Sequence, residues 1–282
     1  MHLPQNKKIL PAKLIPLSAE GINSHLNSGL RSFYDIKYID KTDSTNTRAK
    51  IMAREGCPEG TVVVCAGQTA GRGRLGRSFH SPRGSGVYLS IVLRPEWAAV
   101  TPELITTAAA VAVCEAAEAC TDARPEIKWI NDVLVAGKKV CGILTEGSTT
   151  ASGRLDWAVL GAGINLLDPE GGFPSELESV AGALCSGSAP YDDLPDRVAA
   201  AFLNALARLY GAGTHISVPL ETIKHEYTRR CTTPGKRITV IHGSDRRPAD
   251  ALRLDDNLRL VVRYEDGTED ALSSGEVSVR PL

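Results

Sequence analysis

Residues 127–147 read IKWINDVLVAGKKVCGILTEG, and how that stretch divides decides the fold. Short apolar runs rich in Ile and Val, bounded by polar pairs and glycine, mark strands rather than a helix. EIKWI, DVLVAG and KKVCGILTEG each read as a strand, with Ala136-Gly137 at a tight turn. Five residues do not suit that plan: Lys128, Asn131, Asp132, Lys138 and Lys139 stand in an otherwise apolar, strand-like setting. An Asn-Asp pair can simply make a turn. As chemistry, Asp132 can hold Mg2+ directly or through water, and the lysines can neutralise phosphate charge. On these residues alone both readings stay open.

Outward from this stretch the pattern alternates. TPELITTAAAVAVCEAAEACT (101–121) predicts a helix, with Thr101 as N-cap, Pro102 at N1, Glu103 in the first turn and an Ala-rich body apolar on most faces. Such a helix belongs against a sheet. Further towards the N-terminus, strands are expected at 36–40, 61–66 and 86–93, with a helix between Asp43, Ser44 or Thr45 and a stop at Gly56. Residues 1–35 read as an irregular lead-in, because ILPAKLIPL is broken by proline. Towards the C-terminus, RLDWAVLGAGINLL (154–167) reads as a strand with a glycine-rich end, and helices follow at 192–210 and 217–229. From 236 the character changes to short β-like runs (RITVI, ALRL, RLVVRY, EVSVR) separated by Gly, Asp and Asn. That spacing predicts a small all-β, barrel-like module beyond a boundary near 232–235.

Composition narrows the class. The chain has 282 residues, 43% hydrophobic and 23% charged, with a formal net charge of −1. Near-neutrality argues against general binding to nucleic acid or membranes, so any basic cluster is a local device. No apolar run is long enough to span a bilayer, and the N-terminus lacks the features of a signal peptide. Seven cysteines with no Cys-x-x-Cys pair disfavour both a disulfide framework and a structural zinc site, which points to a reducing cytoplasm.

One basic cluster stands out: GRGRLGR at 71–77. Gly71, Gly73 and Gly76 match the dinucleotide fingerprint formally, but that motif needs a helix directly after the glycines, and Pro82, Gly84 and Gly86 follow instead. Kinase loops and G-x-x-x-x-G-K-[ST] are absent. What remains is an adaptable anion clamp: glycines permit close approach, and arginines offer fixed charge and paired donors to carboxylate or phosphate. A solvated basic loop and an Arg-Gly nucleic-acid segment are the alternatives, the latter poorly supported by Phe79 and His80 as the only neighbouring rings.

Six ordered motifs together resemble the biotin protein ligases (biotin–[acetyl-CoA-carboxylase] ligases): Ser44-Thr45-Asn46, GRGRLGR (71–77), KWIND (128–132), KVCGILTE (139–146), GAGIN (161–165) and GEVSVR (275–280). The likeness runs from about residue 36 to the C-terminus, with Ile130 where the family usually has proline. It implies an α+β fold: a catalytic domain like those of class II aminoacyl-tRNA synthetases and biotin ligases, with a mixed sheet and flanking helices (36–232), followed by an SH3-like β-barrel (233–282). It implies attack of biotin's carboxylate on the α-phosphorus of MgATP to give biotinyl-5′-AMP. Transfer of biotin to a lysine of a biotin carboxyl carrier domain would follow. Carried over by position, Ser44, Thr45, Asn46, Gln68, Gly71, Gly142, Gly161 and Gly163 are expected at biotin. Arg72 and Lys139 are expected at its carboxylate. Arg74, Arg77, Lys128, Trp129, Asn131, Asn165 and Phe173 are expected around ATP and the adenylate. Lys139, Arg72, Arg74 and Asp132 would be catalytic, with Asp132 at Mg2+ or orienting the acceptor lysine; Arg280 would reach back towards the catalytic domain, and Cys141 reads as core. A winged DNA-reading domain would not fit ahead of residue 36, so no sequence-specific DNA binding is expected. Family members often dimerise through sheet edges, and the sequence does not decide this point. A lipoate or octanoate ligase of the same fold and a non-catalytic biotin-sensing regulator are the competing readings.

Overall fold

A computed structural model describes residues 14–95, 100–211 and 218–273, and the backbone of 277–281. The Arg280 side chain and the Gly275-Glu276 part of the last motif lie outside the described residues. A seven-stranded mixed sheet carries the chain: β1 (Asp35–Ile39), β2 (Thr61–Cys65), β3 (Gly86–Leu93), β4 (Glu126–Lys128), β5 (Asp132–Val135), β6 (Lys138–Thr149) and β7 (Leu155–Asn165). They lie in the order β1-β2-β3-β7-β6-β5-β4. Only β1 and β2 run parallel to each other; every other neighbouring pair is antiparallel.

The two faces of this sheet do different work. Residues 87, 89, 91 and 93 of β3 and 160, 162 and 164 of β7 belong to the main core beneath α3 (Pro102–Cys120) and α4 (Leu194–Tyr210). Helix α3 forms as its sequence predicts: the Thr101 hydroxyl accepts from the Leu104 N–H at 3.3 Å, and Ala108 to Ala110 are fully enclosed. Alternate residues of the same strands point to the opposite face, where Val63, Val92, Trp157 and Val159 pack against Ala49 and Ala53 of α2 (Thr45–Arg54). Gly161 and Gly163 continue that second face, where the strand itself raises no side chain from the sheet.

The lead-in is more ordered than proline suggested. Its described part forms α1 (Ala19–His25), capped by the Ser18 hydroxyl, which accepts from the Gly21 N–H at 2.9 Å. Ile22, Leu26, Leu30 and Tyr34 all enter the main core, and Tyr34 donates to the Leu203 carbonyl of α4. A seven-residue helix with one buried position is too short for periodicity to show it.

After α5 (Leu220–Arg230) come β8 (Arg237–His242), β9 (Asp245–Leu254), β10 (Leu260–Tyr264), β11 (Glu269–Leu272) and β12 (Val277–Pro281). They form an antiparallel sheet ordered β11-β10-β9-β8-β12, the small all-β module expected. β11 and the first half of β9 did not read as strands because their residues are mostly charged and exposed, leaving no apolar alternation. This module joins the main core: Ile238, Val240, Leu260 and Val262 belong to one contiguous cluster with α3 and the large sheet. Among the described residues no helix is long and apolar enough to cross a membrane.

Candidate active site

The bare face of β7 becomes a pocket because its residues lack side chains. Gly161 and Gly163 alternate onto it, Gly142 of β6 lies directly beside Gly163, and Ser90 of β3 lies beside Gly161. Side chains from α2 and from the turn after β2 close over this floor, so Ser44, Thr45, Asn46, Gln68, Arg72, Gly142, Gly161 and Gly163 line one pocket together. Their polar groups form a fixed relay. Gln68 Oε1 accepts from the Thr45 N–H (2.9 Å) and hydroxyl (3.2 Å), and Gln68 Nε2 donates to Ser81 Oγ at 2.8 Å. Ser90 Oγ donates to Asn46 Oδ1 at 2.6 Å and lies 2.8 Å from Thr45 Oγ1. Asn46 Nδ2 reaches the Leu144 carbonyl at 3.2 Å and Glu146 Oε2 at 3.1 Å. A buried network with this many closed bonds holds its members in one geometry.

A second cleft opens from the first, sharing Arg72, Phe79, Gly142 and Leu144. Its volume is about 140 Å³, and Arg72, Arg74, Arg77, Lys128 and Lys139 line it beside Trp129 and Asn131. Asp132 is the one carboxylate among those lining residues, and it pairs with Lys139 at 2.6 Å. Asn131 is fixed by its own Nδ2 to the Ile143 carbonyl (2.9 Å) and accepts from Arg74 Nη1 at 3.1 Å. Burial pulls the Arg74 guanidinium below its ordinary pKa, against the opposing charge of Asp132.

Local backbone explains how these groups meet. Lys139 and Gly142 differ by three positions and would face opposite ways on a regular strand. The pairing of β5 with β6 skips Val140, so that residue is an extra one and Lys139 falls on the pocket side. Val140 and Cys141 both turn into the core, and burial drives the Cys141 thiol well above its ordinary pKa. Cys141 is therefore core, as expected. The Arg-Gly stretch is a small hairpin: Arg72 pairs with Ser78, and the Gly73 N–H donates to the Arg77 carbonyl at 2.7 Å. Its tip is left-handed at Leu75 (φ 55°) and Gly76 (φ 72°), and Leu75 stands exposed. The KWIND turn is held from behind. The Trp129 N–H donates to Thr233 Oγ1 and its indole N–H to the Leu258 carbonyl, both at 2.9 Å, while the Tyr227 hydroxyl donates to the Ile130 carbonyl at 3.0 Å. With these bonds Ile130 leaves the turn well anchored, although the family usually has proline there.

Three expected residues sit elsewhere. Gly71 stands at the base of the hairpin, where a Cβ would run into the Phe79 carbonyl and Ser81 Oγ. Asn165 is buried at the end of β7, its amide donating to the Gly182 carbonyl at 2.9 Å, and lines neither pocket. Phe173 lines a neighbouring cleft with Lys138 and Gly182, and packs edge-on to His80 at 6.5 Å between ring centres. Conversely, Ser90, Phe79, Lys50 and Glu146 had no expected role. Ser90 was detectable as the one small polar side chain inside GVYLSIVL. Phe79 covers the glycine floor at Gly163 and Gly142, with Lys139 Nζ 5.8 Å from its ring centre. Glu146 binds Lys50 Nζ at 2.7 Å and Arg72 Nη2 at 3.0 Å.

For Mg2+, no cluster of three metal-ligating side chains occurs among the described residues. The donor set nevertheless suits a nucleotide-borne ion, which commonly takes one or two carboxylates and completes its shell with phosphate oxygens and water.

The family model described as the biotin/lipoate A/B protein ligase family matches residues 38–165. The bifunctional ligase/repressor BirA of Bacillus spizizenii is 33% identical over 237 residues, covering 84% of this chain and 72% of that protein. The biotin--[acetyl-CoA-carboxylase] ligase of Mycobacterium tuberculosis is 27% identical over 268 residues, 93% of this chain and 95% of that one. Among solved structures, the biotin protein ligase from Aquifex aeolicus in complex with biotin and ATP has a TM-score of 0.71 at 26% identity, covering 89% of this chain and all of that chain.

Proposed function

The chain belongs to the biotin/lipoate A/B protein ligase family, and from that premise we propose that it ligates biotin to a lysine of a biotin carboxyl carrier domain at the expense of ATP, through biotinyl-5′-AMP. The observation that carries this reading is the junction of two pockets. A closed polar relay over a glycine floor opens directly into a cationic cleft, with Arg72 lining both. Biotin offers a ureido ring with donors and acceptors at one end and a carboxylate at the other. The relay of Thr45, Gln68, Ser90 and Asn46 matches the ring, and the cleft matches the charge. A dithiolane or plain acyl chain offers nothing to such a relay, which favours biotin over lipoate or octanoate.

The reaction brings a carboxylate to a triphosphate, so its first demand is concentrated positive charge. In this reading Arg72 and Lys139 hold the biotin carboxylate against the α-phosphate, while Arg74, Arg77 and Lys128 receive the remaining phosphates. The carboxylate oxygen forms a bond to the α-phosphorus as the bond to pyrophosphate breaks. Asp132 is the residue that would hold Mg2+, and the ion supplies further neutralisation of the triphosphate. The mixed anhydride then has to be kept from water, a task suited to the Arg72–Ser78 hairpin, whose glycines let it close over a ligand. An acceptor lysine amine attacks the acyl carbon, the C–O bond to AMP breaks, and Asp132 orients the amine and takes its proton. Residues 36–232 carry this chemistry, and the C-terminal module (233–282) braces the KWIND turn. The enzyme would work in the cytoplasm, where ATP and carrier domains are found.

Biotin-dependent exchange of labelled pyrophosphate into ATP by the purified chain tests the first half-reaction. Exchange that requires biotin and is not supported by lipoate is expected. Exchange supported by lipoate at a similar rate would move the assignment to the lipoate branch, and biotin binding without exchange would make the protein a sensor.

A further inference from the structure

Glu146 takes no part in the chemistry assigned above, yet three side chains converge on it. Asn46 Nδ2 lies 3.1 Å from Oε2, while Lys50 Nζ at 2.7 Å and Arg72 Nη2 at 3.0 Å share Oε1. The two cations differ in how firmly they are placed. Lys50 is fixed on helix α2 with its side chain 16% exposed, whereas Arg72 is 44% exposed on a hairpin strand between two glycines. If Arg72 departs, Glu146 keeps Lys50 and Asn46, so no half-buried carboxylate is stranded without a cation. Lys50 has no such freedom. Arg72 is thus the exchangeable partner, and it lines the junction where a ligand carboxylate would enter.

We propose that Glu146 is a positioning residue that holds Arg72 as a stand-in for the ligand's carboxylate, and yields Arg72 to that carboxylate when it binds. This rests on the reading that Arg72 meets the biotin carboxylate. The exchange replaces one anion by another, so Arg72 never loses a counter-charge, and the hairpin stays docked across β6 until the ligand takes it over. Glu146 therefore competes with the substrate for one guanidinium, while Lys50 keeps that competition weak by sharing the same oxygen.

The competition is measured by calorimetric titration of the full chain, without ATP, using biotin and its neutral alcohol, biotinol. A half-exposed ion pair of this kind is worth little, so Glu146→Gln is expected to tighten biotin by about twofold to fivefold and leave biotinol unchanged. Lys50→Met is expected to act in the opposite direction, weakening biotin alone, because Glu146 then grips Arg72 harder. Thermal unfolding of each variant confirms that the fold persists. Equal shifts for both ligands in Glu146→Gln, a selective loss of biotin, or no change at all would each overturn the proposal. Arg72→Gln separates it from its premise. If that variant leaves the ratio of biotin to biotinol affinity at the wild-type value, Arg72 does not meet the carboxylate and both readings fail. If the ratio collapses in Arg72→Gln but does not move in Glu146→Gln, only the role of Glu146 fails.

Discussion

Replacing Gly161 by alanine should damage this protein far more than the same change at Gly163, although both lie on one face of one strand. A Cβ at Gly161 would fall on the Asn46 amide, whose oxygen already accepts from Ser90 at 2.6 Å and whose nitrogen donates at 3.2 Å and 3.1 Å. Asn46 is 4% exposed in the first turn of α2, and its neighbour Thr45 is pinned to Gln68, so the amide has no easy retreat. Overpacking costs about 1–3 kcal/mol, and each net hydrogen bond lost costs about 1 kcal/mol more. Together these give roughly 2–4 kcal/mol, or a fall in Tm of roughly 3–7 °C for a chain of this size. An amide pushed into the pocket should also weaken biotin more than about tenfold, equivalent to about 1.4 kcal/mol. At Gly163 the nearest atoms are those of the Phe79 ring, at 2.5–3.0 Å, on a half-buried side chain that can swing outward. Gly163→Ala should therefore shift Tm by less than about 3 °C. Differential scanning calorimetry and biotin titration of both variants decide the matter. Wild-type stability and affinity in Gly161→Ala, or equal damage at both positions, would refute the reasoning about Asn46.

Two further outcomes follow from the support behind the cleft and from the charge on Glu146. Tyr227→Phe and Thr233→Val each remove a buried bond to the Trp129–Ile130 segment, so each should lose about 1–3 kcal/mol of stability and raise KM for ATP while KM for biotin stays put; a rise in KM for biotin alone would contradict this division of the site. Burial would raise the Glu146 pKa, but hydrogen bonds from Lys50 and Asn46 and the charges of Lys50 and Arg72 hold it below the usual carboxylate range. Its folded value thus lies under its unfolded one, near about 4.3, so its stabilisation is present above that pH and fades as pH falls through the folded value. The stability difference between wild type and Glu146→Gln, followed by urea unfolding, should therefore shrink below about pH 4, and a difference that grows on acidification would contradict the sign.

The sequence was most legible where local rules and global fold agree. Thr101-Pro102-Glu103 opened α3 as cap, first position and acidic first turn, and the apolar runs of β2, β3 and β7 announced themselves by composition. Most expected site residues do converge on the two pockets, because motif residues at strand ends and turns project where the topology gathers them. What was not legible depends on register. That Lys139 and Gly142 share a face required the extra residue Val140, which no periodicity displays. That Asn165 serves the backbone at Gly182 rather than the cleft depends on the path of a loop distant from it in sequence. Glu146 lay inside a recognised motif, but its partners Lys50 and Arg72 are 96 and 74 positions away, and only the folded sheet brings them together.

Intact-mass spectrometry of a biotin carrier domain, incubated with the chain, biotin and MgATP, tests the central claim most directly. The expected result is a carrier heavier by one biotinyl group, biotinyl-5′-AMP detectable in the reaction, and neither product with Lys139→Ala. An unmodified carrier with no adenylate formed, from protein that still binds biotin, would contradict it.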